Sequence, residues 1–207
     1  MSNAKNKIKK EELLKFLKFS YFGNLKDPIE ATSNRAYRDM CRTIKFNGLS
    51  EKNRLKLRKK VKDDFKTEID NLTSKIQGDF DKWHEQLCKK IIDEYKKSKI
   101  QLSYGQAQKW VNMTIKYLYI LEVEGYTFDS VFENLHIPID NYVFDAVEKE
   151  LGIKRPVDAW SKLDKKEYLK YQEDIRGELR KKNISPLIWE FENWLKEAQE
   201  DKKADKK

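Results

Sequence analysis

Apolar positions along the chain recur mostly at helical steps of three and four. Leu57, Val61, Phe65 and Ile69 follow one another at steps of four, with Leu72 and Ile76 extending the stripe. Phe80, Trp83, Leu87 and Ile91 form a second such face, and Leu187, Trp189, Phe191, Trp194 and Leu195 a third. Between Ser103 and Leu121 the apolar residues take nearly all sides, the mark of a helix at the centre of a fold.

End signals bracket these stretches. Glu11 to Phe22 reads as a short helix ending at Gly23-Asn24, and Asp27-Pro28 reads as a loop. The Thr32-Ser33-Asn34 cluster offers N-caps for a helix running to about Phe46, which Asn47-Gly48 stops. Ser50 caps a long charged helix that Gly78 punctuates, and Asp79 opens the next. Ser103 and Gln106 have capping-box spacing, and Asp140 stands before a helix that Gly152 ends. A short helix is expected around Phe128 to Leu135, one or two over Val157 to Lys182, and a last one from Pro186. The expectation is an all-α, single-domain bundle of about eight helices over residues 11–198. A basic flexible arm (1–10) precedes it and a disordered tail (199–207) follows.

Composition agrees: only 7 Gly and 4 Pro, with 39% hydrophobic and 12% aromatic residues, suit a folded helical chain. The net charge of +9 is unevenly spread. Residues 1–62 hold 18 basic and 6 acidic side chains, and the remainder 26 and 29. Arg35, Arg38, Arg42 and Lys45 share one helical face, a footprint for phosphates. A polyanion partner, DNA before others, is therefore expected, and a protein partner is the alternative. Two cysteines make no disulfide framework, and neither a secretory signal nor a membrane-length apolar run is present. A cytoplasmic location follows as an expectation. His84 and Cys88 have i, i+4 spacing, but no ligand motif supports a metal site, and no cofactor is expected.

Lys109 is unusual near the start of so apolar a helix. Burial favours the neutral amine of a lysine, and a neutral amine is a nucleophile capable of Schiff-base chemistry. A nearby carboxylate such as Asp140 would support positive charge developing on a sugar. The plain alternative is a solvent-facing Lys109 and an Asp140 that only caps its helix.

LSYGQAQKWVNM resembles the hairpin and following helix of the helix-hairpin-helix DNA glycosylase superfamily, whose pattern is L-P-G-V-G-x-K-T-A-N. With Lys109 on the family lysine, Gly105 and Ala107 fall on the two hairpin glycines and Asn112 on the Asn. IPIDNYVFDAVEKELG is similar to V-D-x-H-V-x-R-x-x-x-R-L-G, which puts Asp140 on the catalytic Asp. ISPLIWEFENWL resembles the last helix of the archaeal 8-oxoguanine glycosylase branch. Tyr104 replaces the hairpin Pro, Ala107 the second Gly and Tyr142 the His, and no four-cysteine cluster exists for an iron–sulfur centre. The resemblance implies base excision on a flipped-out nucleotide, with Lys109 as nucleophile and Asp140 as its charged support. Gly105 and Ala107 would offer backbone amides to phosphate, and Tyr104, Trp110 and Tyr142 would be the base-stacking candidates. The basic face of Arg35 to Lys62 lies apart from this pair in sequence. Two further readings stand beside it: a non-enzymatic interaction protein, phage-related or defence-associated, and a non-catalytic nucleic-acid binder.

Overall fold

The computed structural model describes residues 8–74 and 79–204, which places Ile76 and Gly78 outside the described residues. Among those described, eight α-helices and no strand are present. They are α1 (Lys10–Phe22), α2 (Pro28–Met40), α3 (Glu51–Ser74) and α4 (Phe80–Lys97), then α5 (Tyr104–Leu121), α6 (Asn141–Leu151), α7 (Lys165–Lys181) and α8 (Pro186–Ala204). No helix among them is long and apolar enough to cross a membrane.

The centre is α5, buried from Tyr104 through Leu118, with α2 and α4 packed along it. Its Trp110 is sealed between Tyr37 of α2 and Phe65 of α3, with ring centroids 5.0 and 5.7 Å away. The Leu57–Leu72 stripe of α3 is buried as its spacing requires. On α4 the Asp79 side chain accepts from the Lys82 amide, and on α7 Asp164 and Glu167 complete a capping box.

Three boundaries differ from expectation. Helix α2 begins at Pro28, four residues before the Thr32-Ser33-Asn34 cluster. Asp27 is its cap, accepting from the Glu30 amide at 2.9 Å, and Pro28 fills the first helical position, where a missing N–H costs nothing. Thr32 and Ser33 instead bond back to the carbonyls of Pro28 and Glu30. The helix gives way to a 3₁₀ turn over Cys41–Thr43, short of Phe46. At the other end, α8 runs to Ala204, so residues 199–204 are helical where a tail was expected. Lys149 of α6 pairs with Glu197 and Glu200, tying that turn to the body.

Candidate active site

Residues 103–109 form a capped helix start. Ser103 Oγ accepts from the Gln106 amide at 3.0 Å, and Gln106 Oε1 accepts from the Ser103 amide at 2.9 Å. The Gly105 N–H donates to Leu163 O (3.0 Å) and the Ala107 N–H to Ser103 O (3.1 Å), so neither amide is open to a phosphate. Both residues are buried. A Cβ on Gly105 would stand 1.9 Å from Trp160 O, so glycine here serves the close approach of the Trp160–Lys162 turn. This corrects the expectation of nucleic-acid contacts at Gly105 and Ala107.

Two aromatic expectations change as well. Tyr104 is buried with its hydroxyl 3.4 Å from His84 Nδ1, and Trp110 is buried and donates Nε1–H to Ser33 O at 2.9 Å. Rings enclosed in this way cannot receive a base. Tyr142 differs: it is half-buried, stands edge-on to Trp194 at 5.6 Å, and lines a cavity.

Lys109 and Asp140 meet. Lys109 Nζ donates to Asp140 Oδ2 at 2.7 Å, and a longer bond reaches Pro138 O at 3.4 Å. Asp140 Oδ1 accepts from the Val143 amide at 2.9 Å, which caps α6. The carboxylate thus caps and pairs at once, one oxygen for each task. Trp194 Nε1–H also donates to Oδ2, at 3.1 Å. Burial pushes the Asp140 carboxyl up, but the Lys109 ammonium, the Val143 amide and the Trp194 indole together hold it below the ordinary carboxylate range.

The pair stands on the wall of a cavity of about 1450 Å³. Lys116 lies seven residues, two turns, beyond Lys109 on α5 and faces the same space. It holds Glu190 of α8 at 2.8 and 2.6 Å, with its Nζ 4.6 Å above the Phe191 ring. Burial holds the Glu190 carboxyl above its ordinary range despite Lys116. This second buried pair was not read from the sequence. Its signals were the i, i+7 lysines of an apolar helix and the i, i+4 spacing of Glu190 and Trp194.

Part of the rim is basic, and Asp145, Glu197 and Glu200 line the cavity as well. Arg35, Arg38 and Arg42 of α2 and the following turn line the same cavity, because α2 packs lengthwise on α5. The basic face is therefore beside the Lys109–Asp140 pair in space, although remote from it in sequence. Arg35 is committed to Asp39 at 2.6 Å and to the Tyr21 ring at 4.3 Å. Arg38 and Arg42 are exposed and make no ion pair among the described residues. Lys45 is exposed but off the cavity wall.

His84 and Cys88 are buried in the core, with Sγ 3.8 Å from Nδ1. Among the described residues, no group of three or more His, Cys, Asp or Glu is placed to hold a metal ion. The chain matches no family model, no curated protein and no solved structure.

Proposed function

We propose that the protein is a base-excision DNA glycosylase with Schiff-base lyase chemistry. The observation that carries this reading is the 2.7 Å contact between Lys109 and Asp140 on the wall of an aromatic-lined cavity with a basic rim. A cavity of about 1450 Å³ has room for a flipped-out nucleotide. Arg38 and Arg42 at its edge suit the flanking phosphates. An interaction protein would need neither a cavity nor a buried lysine facing it.

The chemistry needs the free amine, so one proton leaves Lys109 Nζ. The nitrogen lone pair forms a bond to the sugar C1′ as the bond from C1′ to the base nitrogen breaks. That bond's electron pair departs with the base, which takes up the proton. Asp140, whose anion the Val143 amide and the Trp194 indole also stabilise, supports the positive charge that develops at C1′. A proton then passes from Nζ to the ring oxygen as the sugar opens, leaving an imine. Tyr142 and Trp194 supply the aromatic wall against which a base would lie.

The test is borohydride trapping on duplexes carrying 8-oxoguanine or an abasic site. The expected result is a covalent protein–DNA adduct that disappears in Lys109→Ala and is reduced in Asp140→Asn. No adduct, or one that survives Lys109→Ala, would reject the assignment.

A further inference from the structure

His136 to Asp140 belongs to no helix and has no strand beside it, and Ile137, Pro138 and Ile139 are buried. Its backbone polar groups must find partners within the core. Two fully buried glutamines provide them. Gln172 of α7 donates Nε2–H to Ile137 O at 2.7 Å and accepts from the Ile137 amide at 3.3 Å. Gln108 of α5 treats Ile139 the same way, with both bonds at 3.4 Å. Pro138 between them has no N–H, and its carbonyl accepts from Lys109. Each carboxamide therefore stands in for a neighbouring strand at alternate residues.

The two glutamines are joined. Asn112 Nδ2 lies 2.9 Å from Gln108 Oε1 and 2.8 Å from the Tyr168 hydroxyl, and Gln172 Nε2 lies 3.2 Å from that hydroxyl. His136, at the head of the segment, bonds the same hydroxyl at 2.9 Å. The segment's next residue after Ile139 is Asp140, and the next residue after Gln108 on α5 is Lys109. One carboxamide thus links the chain beside the lysine to the chain beside the carboxylate.

We infer that Gln108 and Gln172 form a two-amide clamp that sets the distance between Lys109 and Asp140. They are positioning residues for the reaction proposed above, and the assignment of that role rests on it. The clamp as a geometric device can be tested without it.

Gln172→Glu is the informative variant, because Gln172 belongs to α7 and makes no contact with Lys109. A protonated carboxyl can still accept from the Ile137 amide and donate to Ile137 O; the ionised form cannot donate. With DNA, the trapping rate of Gln172→Glu should match the parent at low pH. It should fall roughly ten- to hundredfold as the introduced carboxyl ionises, the scale of an ångström-sized misplacement. The affinity for the duplex should stay constant. Without DNA, the ¹³C-carboxyl titration of Asp140 in Gln172→Leu should move up toward the ordinary range as Lys109 draws away, whereas in Gln172→Glu, still protonated where Asp140 titrates, it should stay with the parent's. Parallel pH–rate profiles for Gln172→Glu and parent, or an unmoved Asp140 titration in folded Gln172→Leu, would overturn the clamp. If the parent forms no adduct while Asp140 still moves, the clamp stands and the glycosylase reading fails. Should Gln172→Leu not fold, Gln172→Asn, whose shorter carboxamide no longer reaches both polar groups of Ile137, decides through the same Asp140 titration.

Discussion

The indole N–H of Trp194 donates to Asp140 Oδ2, the same oxygen that Lys109 Nζ holds, at 3.1 and 2.7 Å. A hydrogen bond to an ionised carboxylate contributes about 1.5 kcal/mol, equivalent to roughly one pKa unit. Trp194→Phe keeps an aromatic ring beside Tyr142 but loses the donor. The Asp140 carboxyl should therefore titrate higher in ¹³C NMR, with Lys109 still in place. A titration unchanged from the parent would mean that the indole bond contributes nothing to the charged form.

Gly105 tests a different kind of contact. Its amide is bound to Leu163 O, and a methyl group there would meet the Trp160 carbonyl at 1.9 Å. Backbone on both sides leaves little room to yield, so Gly105→Ala should cost about 3 kcal/mol in urea denaturation. If Gly105 instead cradled a phosphate, the variant would keep its stability and lose DNA affinity.

Lys116 and Glu190 give a third expectation. Both are buried, and removing one partner leaves the other uncompensated, at a cost of about 3–5 kcal/mol. Glu190 already has a raised carboxyl, from burial first, with Lys116 opposing. In Lys116→Met it should therefore stay neutral over a wider pH range. Because the folded state then binds the extra proton, the destabilisation should be smaller at pH 5 than at pH 8. The double variant Lys116→Met, Glu190→Gln should recover much of the loss and remove the pH dependence; equal losses at both pH values would contradict the pairing.

Local chemistry explains which parts of this architecture could be read from the chain. Asp79, Ser103 and Asp140 each act through an oxygen and an amide three residues on, so their caps are visible in sequence. Asp27 uses the same geometry and was hidden only because Asp-Pro also reads as a loop. The approach of Lys109 to Asp140 depends on chain that crosses the core; the chemistry of an amine beside a carboxylate and the resemblance to a known motif suggested the pair, and no local pattern encodes the contact. The same motif misplaced Gly105 and Ala107, because Ser103 starts the helix before them. That Arg38 and Arg42 share a cavity with Lys109 follows from the way α2 lies on α5, which no local pattern encodes.

Acid should unfold the protein early. His84 and His136 are buried, and burial lowers both below the ordinary imidazole value, more so for His84. The unfolded chain takes up protons as pH falls through about 6.5 while the folded state does not, so stability is present above that pH and declines below it. Each histidine contributes about 1.4 kcal/mol per pH unit until its folded value is reached. Between pH 7.5 and 5.5 His84, lowered the further, should cost about 1.4 kcal/mol in urea denaturation, and His136 adds to it in the same direction. The Asp140 carboxyl, lowered in the fold, adds to the loss only at still lower pH, as it too must be protonated. A stability that is level or rises toward pH 5.5 would mean that these rings are not held neutral.

The basic rim makes separable claims about binding and chemistry. Arg38 and Arg42 are exposed and unpaired among the described residues, whereas Arg35 is already neutralised by Asp39. Each arginine that neutralises a duplex phosphate adds about 0.9 to the slope of log affinity against log salt. Arg38→Ala, Arg42→Ala should therefore flatten the slope by about 2, and Arg35→Ala by less. At saturating DNA the double variant should still form the borohydride-trapped adduct at the parent rate, because neither arginine contacts Lys109 or Asp140. A salt slope that does not change would remove DNA phosphates as the ligand of this rim. A trapping rate that falls at saturation would instead place the arginines in orienting the bound nucleotide, since affinity alone cannot slow a saturated complex.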